Sequence, residues 1–381
     1  MAHPRTRAPV DIPNAHPSFS PKRVHLLSQF PQRKRPMHRS LSFAALALVL
    51  GSTSGLAQQP AHATPIAPAP NSRIERLDPA FDALVPADAK VEKLAEGFDW
   101  TEGPVWRRSG GYLLFSDIPK NTVYQWKEGE PLSIFMRPAG YNTGTTPPGR
   151  ELGTNGLTFD AQGRLVVADH GNRGISRWND SLFTRTVVVD RFEGKRFNSP
   201  NDLVWAPNGD LYFTDPSYGL RGGNADPTKE LPFNGVFRLS ASGQLSVVTR
   251  ELTFPNGVGL SPDGRTLYVG ISDAKNPYIM AYAVAADGST GQGRIFYDAR
   301  ARVQQGLQGA LDGLKVDARG NVFTTGPGGI LVLSPAGKHL GTIFPGDVVA
   351  NCAFGGDGST LYMTVNHRLM RVRTSTKGLG F

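Results

Sequence analysis

Asn155-Gly156-Leu157-Thr158-Phe159, followed by the turn Ala161-Gln162-Gly163 and the run Leu165-Val166-Val167-Ala168-Asp169, decides the fold. It reads as a β-hairpin: two apolar runs of β-forming residues, joined by a Gly-bearing turn and opened by one polar residue. The same line recurs as Glu102-Gly103-Pro104-Val105-Trp106, Asn201-Asp202-Leu203-Val204-Trp205, Asn256-Gly257-Val258-Gly259-Leu260, Asp312-Gly313-Leu314-Lys315-Val316 and Asn351-Cys352-Ala353-Phe354. Each copy leads into its own tight turn, such as Pro207-Asn208-Gly209 or Pro262-Asp263-Gly264. Successive copies begin 53, 46, 55, 56 and 39 residues apart, a period that fits one four-stranded propeller blade per repeat. The expected fold is all-β, a six-bladed β-propeller with four antiparallel strands per blade. A propeller sets the equivalent position of every blade around one axis. Glu102, Asn155, Asn201, Asn256, Asp312 and Asn351 are therefore expected to form a ring of oxygen-bearing side chains.

The propeller pattern occupies residues 74–381, and what precedes it is of another kind. Arg39-Ser40 runs into the apolar stretch Leu41 to Leu50, and Gly55-Leu56-Ala57 sets small residues where a signal peptidase reads. An apolar core of about ten residues is too short to span a bilayer, so residues 1–57 read as a signal peptide with cleavage after Ala57. Met37 stands just before it, and residues 1–36 read as an over-called start. Residues 58–73 are an Ala/Pro/Gln linker, expected as a disordered tether. This organisation predicts an exported protein, periplasmic or secreted.

Charge follows the same division. Residues 1–57 hold eight Lys and Arg against one acid, and so carry seven of the nine formal positive charges. The remainder is near neutral and shows no basic run, which excludes nucleic acid as a partner despite the high pI. The single cysteine, Cys352, falls in a buried strand and excludes an intrachain disulfide. Three long stretches lack strand pattern, Arg137 to Leu152, Pro216 to Phe233 and Asp298 to Leu311. Each adjoins a ring residue, so they are expected to project over one mouth as substrate loops.

Two carboxylates and several amide carbonyls make an all-oxygen donor set without His or Cys. Such donors suit one divalent cation, Ca²⁺ first, Mg²⁺ or Mn²⁺ next, and argue against a dedicated zinc site. Any one Asn or Asp before a strand is more simply a turn cap. Six equivalent polar positions, four of them followed by Gly, are not explained that way.

The strings Thr101-Glu102-Gly103-Pro104-Val105-Trp106, Arg196-Phe197-Asn198-Ser199-Pro200-Asn201-Asp202, Tyr212-Phe213-Thr214-Asp215-Pro216-Ser217-Tyr218-Gly219, Phe254-Pro255-Asn256-Gly257 and Asp312-Gly313-Leu314 resemble the gluconolactonase, regucalcin and senescence-marker-protein family of six-bladed propellers. The resemblance covers all six blades and is nearest the bacterial gluconolactonases through Ala168-Asp169-His170-Gly171-Asn172-Arg173. It implies that Glu102, Asn201, Asn256 and Asp312 hold the metal and that Asp312 doubles as the general base. It further implies a small-molecule lactone as substrate, opened to the hydroxy acid by carbonyl polarisation and base-activated water. Asn155 then reads as a pocket residue, Arg196 as a substrate-facing arginine, and Asn351 matches no ligand of the family.

His170 closes a strand in a Gly-bearing corner and is assigned to substrate binding, against the alternative of a turn histidine bonded to backbone. Asp215 before Pro216 reads as a strand terminator. Ser199 and Ser217 lack a nucleophile elbow, which excludes a serine hydrolase. Three other functions stay open on the sequence: a phosphotriesterase-like hydrolase, a strictosidine-synthase-like propeller and a non-catalytic binding propeller. Neither a membrane span nor a protein partner is indicated.

Overall fold

The computed structural model describes residues 66–142 and 149–381, so the expected signal peptide lies outside the described residues. Six antiparallel sheets of four or five strands form the blades, beside one two-stranded pair. The first blade is Thr101–Arg107, Tyr112–Asp117, Thr122–Trp126 and Ser133–Met136. The second is Thr154–Phe159, Leu165–Asp169, Gly174–Asn179 and Thr184–Val189, and the third Leu203–Trp205, Leu211–Asp215, Gly235–Leu239 and Leu245–Thr249. The fourth runs Pro255–Leu260, Thr266–Ile271, Tyr278–Ala283 and Arg294–Asp298, and the fifth Leu314–Val316, Val322–Gly326, Gly329–Leu333 and His339–Phe344. Each recurring line of the sequence is the innermost hairpin of one blade.

The sixth blade closes the circle. Its strands Val349–Gly355, Thr360–Val365 and Arg368–Arg373 come from the end of the chain, and the outer one pairs antiparallel with Val91–Glu96 from before the first blade. Joining the two ends of the chain in one sheet keeps the ring from opening between its first and last blades. The tether expected over 58–73 is corrected here for its described part. Ala67–Pro68 adds to the outside of Val91–Glu96, Ala69 is buried, and Arg73–Arg76 pairs with His339–Phe344 on the fifth blade. An outer strand offers unpaired backbone groups that a passing segment satisfies, and Pro68 is tolerated because an edge position needs no inward N–H.

Between blades the core is aromatic and aliphatic. Phe197, Phe213 and Phe237 meet edge-to-face and stacked at centroid distances of 5.3, 5.0 and 5.4 Å between the second and third blades. All three are fully buried, worth about 1.5–3 kcal/mol each in transfer from water. Cys352 is buried in the inner strand of the sixth blade, as expected. No helix among the described residues is long and apolar enough to cross a membrane.

The inner strands crowd the axis. A Cβ on Gly257 would lie 2.0 Å from the backbone oxygen of Asp312, and one on Gly103, which has φ +49°, would lie 2.0 Å from that of Asn155. The glycine after a ring residue is there because the next blade's ring residue passes against it. Register shifts interrupt the inner strands at Glu102/Val105, Thr154/Leu157, Pro255/Val258 and Val349/Asn351. These bulges re-aim the ring side chains out of the sheet alternation. Gly257→Ala should lower the stability to chemical denaturant by about 1–3 kcal/mol through overpacking at the axis. An unchanged midpoint would mean that the axis has slack.

Candidate functional site

The ring residues are held by their own blades and by the blades that precede them. The Asp117 carboxylate, ending the second strand of the first blade, accepts the N–H groups of Asp99 and Trp100 at 3.1 and 3.3 Å, and so ties down the approach to Glu102. Asp215 does the same in the third blade for Asn198 and Ser199, both at 2.8 Å, on the approach to Asn201. Its role is structural, as a strand-ending aspartate that anchors a loop, and burial pushes its carboxyl up to about 7. Hydroxyls from second strands complete the shelf. Ser116 Oγ donates to the Asn155 carbonyl at 2.9 Å and Thr214 Oγ1 to that of Asn256 at 2.7 Å, while Thr325 Oγ1 accepts the Asp312 N–H at 2.8 Å.

Over the ring lies a cavity of about 500 Å³. Glu102, Asn155, Asn201, Asn256 and Asp312 line it, with Trp100, Arg150, Glu151, Tyr218, Ser272 and Ala310 from surrounding loops. Three carbonyl or carboxylate oxygens here are shut off from solvent without a hydrogen bond: Asn155 Oδ1, Asn256 Oδ1 and Asp312 Oδ1. Unpartnered buried oxygens are costly in a folded protein unless a ligand completes them.

The acids are under strain of charge. Burial, with the nearby Asp202 carboxylate adding to it, pushes the Glu102 carboxyl up to about 7, although the Gly103 N–H and the Asn351 amide donate to its Oε2 at 2.8 and 3.2 Å. Burial also drives Asp312 well above the usual carboxylate range, and Glu102, Asp202 and Glu151 push it further. Asp202 is buried, and its nearest cation is Lys315, 3.7 Å away.

Of the residues assigned from sequence, five of the six ring members face the cavity. The sixth, Asn351, supports Glu102 from the side. His170 does not line the cavity. Its ring is buried behind Asn155, with Nε2 at 3.4 Å from Asn155 Nδ2 and Nδ1 at 2.7 Å from Glu151 Oε2. Arg196 is not part of the cavity either, and its guanidinium donates to the Asn172 carbonyl at 2.9 Å. The two-residue strand Lys195–Arg196 pairs with Arg191–Phe192, which turns the arginine away from the axis. Sequence reasoning missed Glu151, Tyr218 and Ser272. Glu151 and Tyr218 lie in two of the long strandless stretches, which was the available signal; Ser272, at a strand end, carried none. Ser199 Oγ donates to the Pro216 carbonyl at 2.6 Å and Ser217 Oγ to Asn224 Oδ1 at 2.7 Å, so neither serine is free for nucleophilic attack.

Among the described residues, no group of three His, Cys, Asp or Glu is placed to hold a metal. Only the asparagine carbonyls bring the donor count of this ring to what a hard cation needs.

A family model described as the SMP-30/gluconolactonase/LRE-like region matches residues 100–367. The chain belongs to that family. It is 41% identical over 311 residues to a gluconolactonase of Zymomonas mobilis, covering 80% of this chain and 87% of that protein. The structure of a gluconolactonase from Xanthomonas campestris superposes with a TM-score of 0.71 at 30% identity, over 82% of this chain and 98% of the other. A calcium-binding protein, regucalcin, from Agrobacterium tumefaciens shares the fold, with a TM-score of 0.56 at 18% identity over 74% of this chain and 92% of that one.

Raised acids make the metal-free fold pH-sensitive. A carboxyl whose folded pKa lies above its unfolded value favours folding most below the unfolded value, and that contribution is lost as pH rises through the folded one. For Glu102 the window runs from its ordinary 4.5 to about 7. Thermal unfolding in chelator should therefore move to lower temperature across this window, and Glu102→Gln should flatten the dependence. Melting curves independent of pH there would contradict the electrostatics of the ring.

Proposed function

We propose that this protein is a metal-dependent lactonase, opening a sugar-type lactone to the corresponding hydroxy acid. The observation that carries the reading is the set of unpartnered oxygens of Asn155, Asn256 and Asp312, which line the cavity together with the buried carboxyl of Glu102. The family relationship and the names of its lactone-hydrolysing relatives support the substrate class. Glu102, Asn201, Asn256 and Asp312 would hold one divalent cation, Ca²⁺ by the hardness of the donors, with Mg²⁺ or Mn²⁺ as second choices. When bound, it supplies Lewis acidity toward the ester carbonyl and its developing oxyanion.

The chain's own residues do the rest. Asp312 lines the cavity with Oδ1 free of hydrogen bonds, so this oxygen is available to take a proton from water as the water oxygen attacks the ester carbon. The proton then goes to the ring oxygen as its bond to the acyl carbon breaks, which leaves one carboxyl and one hydroxyl on the same product. Asn155 and Glu151 present acceptors to substrate hydroxyls, Trp100 offers an apolar wall, and Arg150 stands exposed at the rim beside Glu151. The apolar run before Gly55-Leu56-Ala57 supports export of the enzyme after cleavage.

Asp312→Asn keeps an oxygen donor but removes the proton acceptor, whereas Glu102→Gln removes one of the two charges that balance the cation. Asp312→Asn should lower kcat by about 10²-fold or more at any calcium concentration, with calcium still bound by calorimetry. Glu102→Gln should weaken calcium binding first and recover part of its gluconolactone hydrolysis in excess calcium. Equal recovery of the two would leave Asp312 as a ligand only, and a wild-type enzyme active in chelator would remove the metal from the reading.

A further inference from the structure

An amide has one end that accepts hydrogen bonds and one that donates, and only the carbonyl end serves a cation or a substrate hydroxyl. Three of the ring asparagines have fixed neighbours that decide which end faces inward. Asn256 Nδ2 donates to Ser272 Oγ at 2.9 Å, and that hydroxyl spends its own proton on the Leu311 carbonyl at 2.7 Å. A carbonyl only accepts, so the serine must donate to it and accept from Asn256. The Tyr218 hydroxyl lies against both Ser272 and Asn256, and the Asn256 amide is also within hydrogen-bonding reach of the Asp312 carboxylate. Asn256 Oδ1 is left buried and without a partner.

The second blade reaches the same result with different chemistry. In the Nδ1–H tautomer of a neutral ring, His170 donates from Nδ1 to the Glu151 carboxylate at 2.7 Å and Nε2 accepts from Asn155 Nδ2 at 3.4 Å, and Asn155 Oδ1 is again buried without a partner. The sixth blade is the converse case. Asn351 Oδ1 accepts the Cys352 N–H at 2.8 Å, and its Nδ2 donates to Glu102 Oε2 at 3.2 Å. That asparagine shows the ring a donor, which accounts for its place beside a carboxylate and not around a cation.

We propose that Ser272 and the His170–Glu151 pair are positioning residues, which fix the amides of Asn256 and Asn155 with their carbonyl oxygens toward the axis. The inference rests on the metal-dependent reading above and adds the residues that make two neutral amides dependable acceptors. Without them each amide can turn over and present its NH₂ to the site.

Calcium binding to chelator-treated enzyme, followed by titration calorimetry without substrate, tests the fourth-blade arm. Ser272→Ala should weaken calcium binding about 10- to 100-fold, and Ser272→Thr, which keeps the hydroxyl, should restore most of it. In an Asn256→Asp background there is no amide polarity to fix, so adding Ser272→Ala should change affinity by less than about twofold. An equal loss in both backgrounds would make Ser272 merely structural and overturn the proposal, as would wild-type affinity in Ser272→Ala. Wild-type enzyme that binds no calcium would instead sink the metal reading and this inference with it. For the second blade, His170→Phe should raise KM for gluconolactone about fivefold, the worth of one neutral hydrogen bond, with kcat less affected and His170→Gln closer to wild type. Unchanged KM and calcium affinity in His170→Phe would overturn that arm.

Discussion

Six inner strands have to meet at one axis, and that steric constraint orders the rest of the molecule. With the backbone of one ring residue lying against the glycine of the preceding blade, four blades have no room for a side chain directly after the ring residue. The bulges that interrupt four inner strands at this level are the means by which the ring side chains leave the sheet and turn to the cavity. Two blades reach the same end differently: Asn201 and Asp312 stand just before short inner strands, Leu203–Trp205 and Leu314–Val316. The third blade has Asp202, not glycine, after its ring residue, and that carboxylate is buried close enough to raise the pKa of Glu102 and Asp312.

Crowding thus becomes electrostatics. Glu102, Asp202 and Asp312 lie within one another's field, and Lys315 is the cation closest to them. With all three ionised, one lysine leaves two negative charges unbalanced, which is the charge of one divalent ion. Protons are the only other way to relieve it, and the upward shifts of Glu102 and Asp312 express that alternative. On the proposed metal-dependent reading, such a site suits a base that works only when the dication is in place.

Much of this was legible in the sequence because the repeat is local. A polar residue, a glycine and an apolar run recur at blade spacing, and each repeat folds as one hairpin whatever lies far away. The glycines were legible as a pattern but not as a cause, since their reason is the next blade's backbone. Closure was not legible. Val91–Glu96 carries no mark that it pairs with Arg368–Arg373 more than 270 residues later, and Ala67–Pro68 reads as linker until an edge is there to receive it. The placement of Arg196 and His170 outside the cavity lining has a reason of the same kind. A residue type suited to a substrate says nothing about whether a neighbouring carbonyl or carboxylate has already engaged it, as Asn172 engages Arg196 and Glu151 engages His170.

The two mouths of the channel differ in a way that assigns the chemistry to one of them. The far mouth, about 660 Å³, is walled by Trp106, Phe159, Trp205, Phe354 and other apolar residues, and Lys315 is among its lining. Lys315 Nζ donates to the Leu314 carbonyl at 2.9 Å and faces Asp202 at 3.7 Å, so the third-blade acid has its counter-charge on that side. Glu102 and Asp312 line the other mouth, where the loops supply Glu151, Arg150 and Tyr218 and the ring amides show unpartnered oxygens. At the apolar end the lining acid, Asp160, is already engaged by Arg164 at 2.8 Å. From the polar end a cation or a polar substrate meets acceptors that are already buried and lack hydrogen bonds, so their desolvation is incurred on folding and not again on binding.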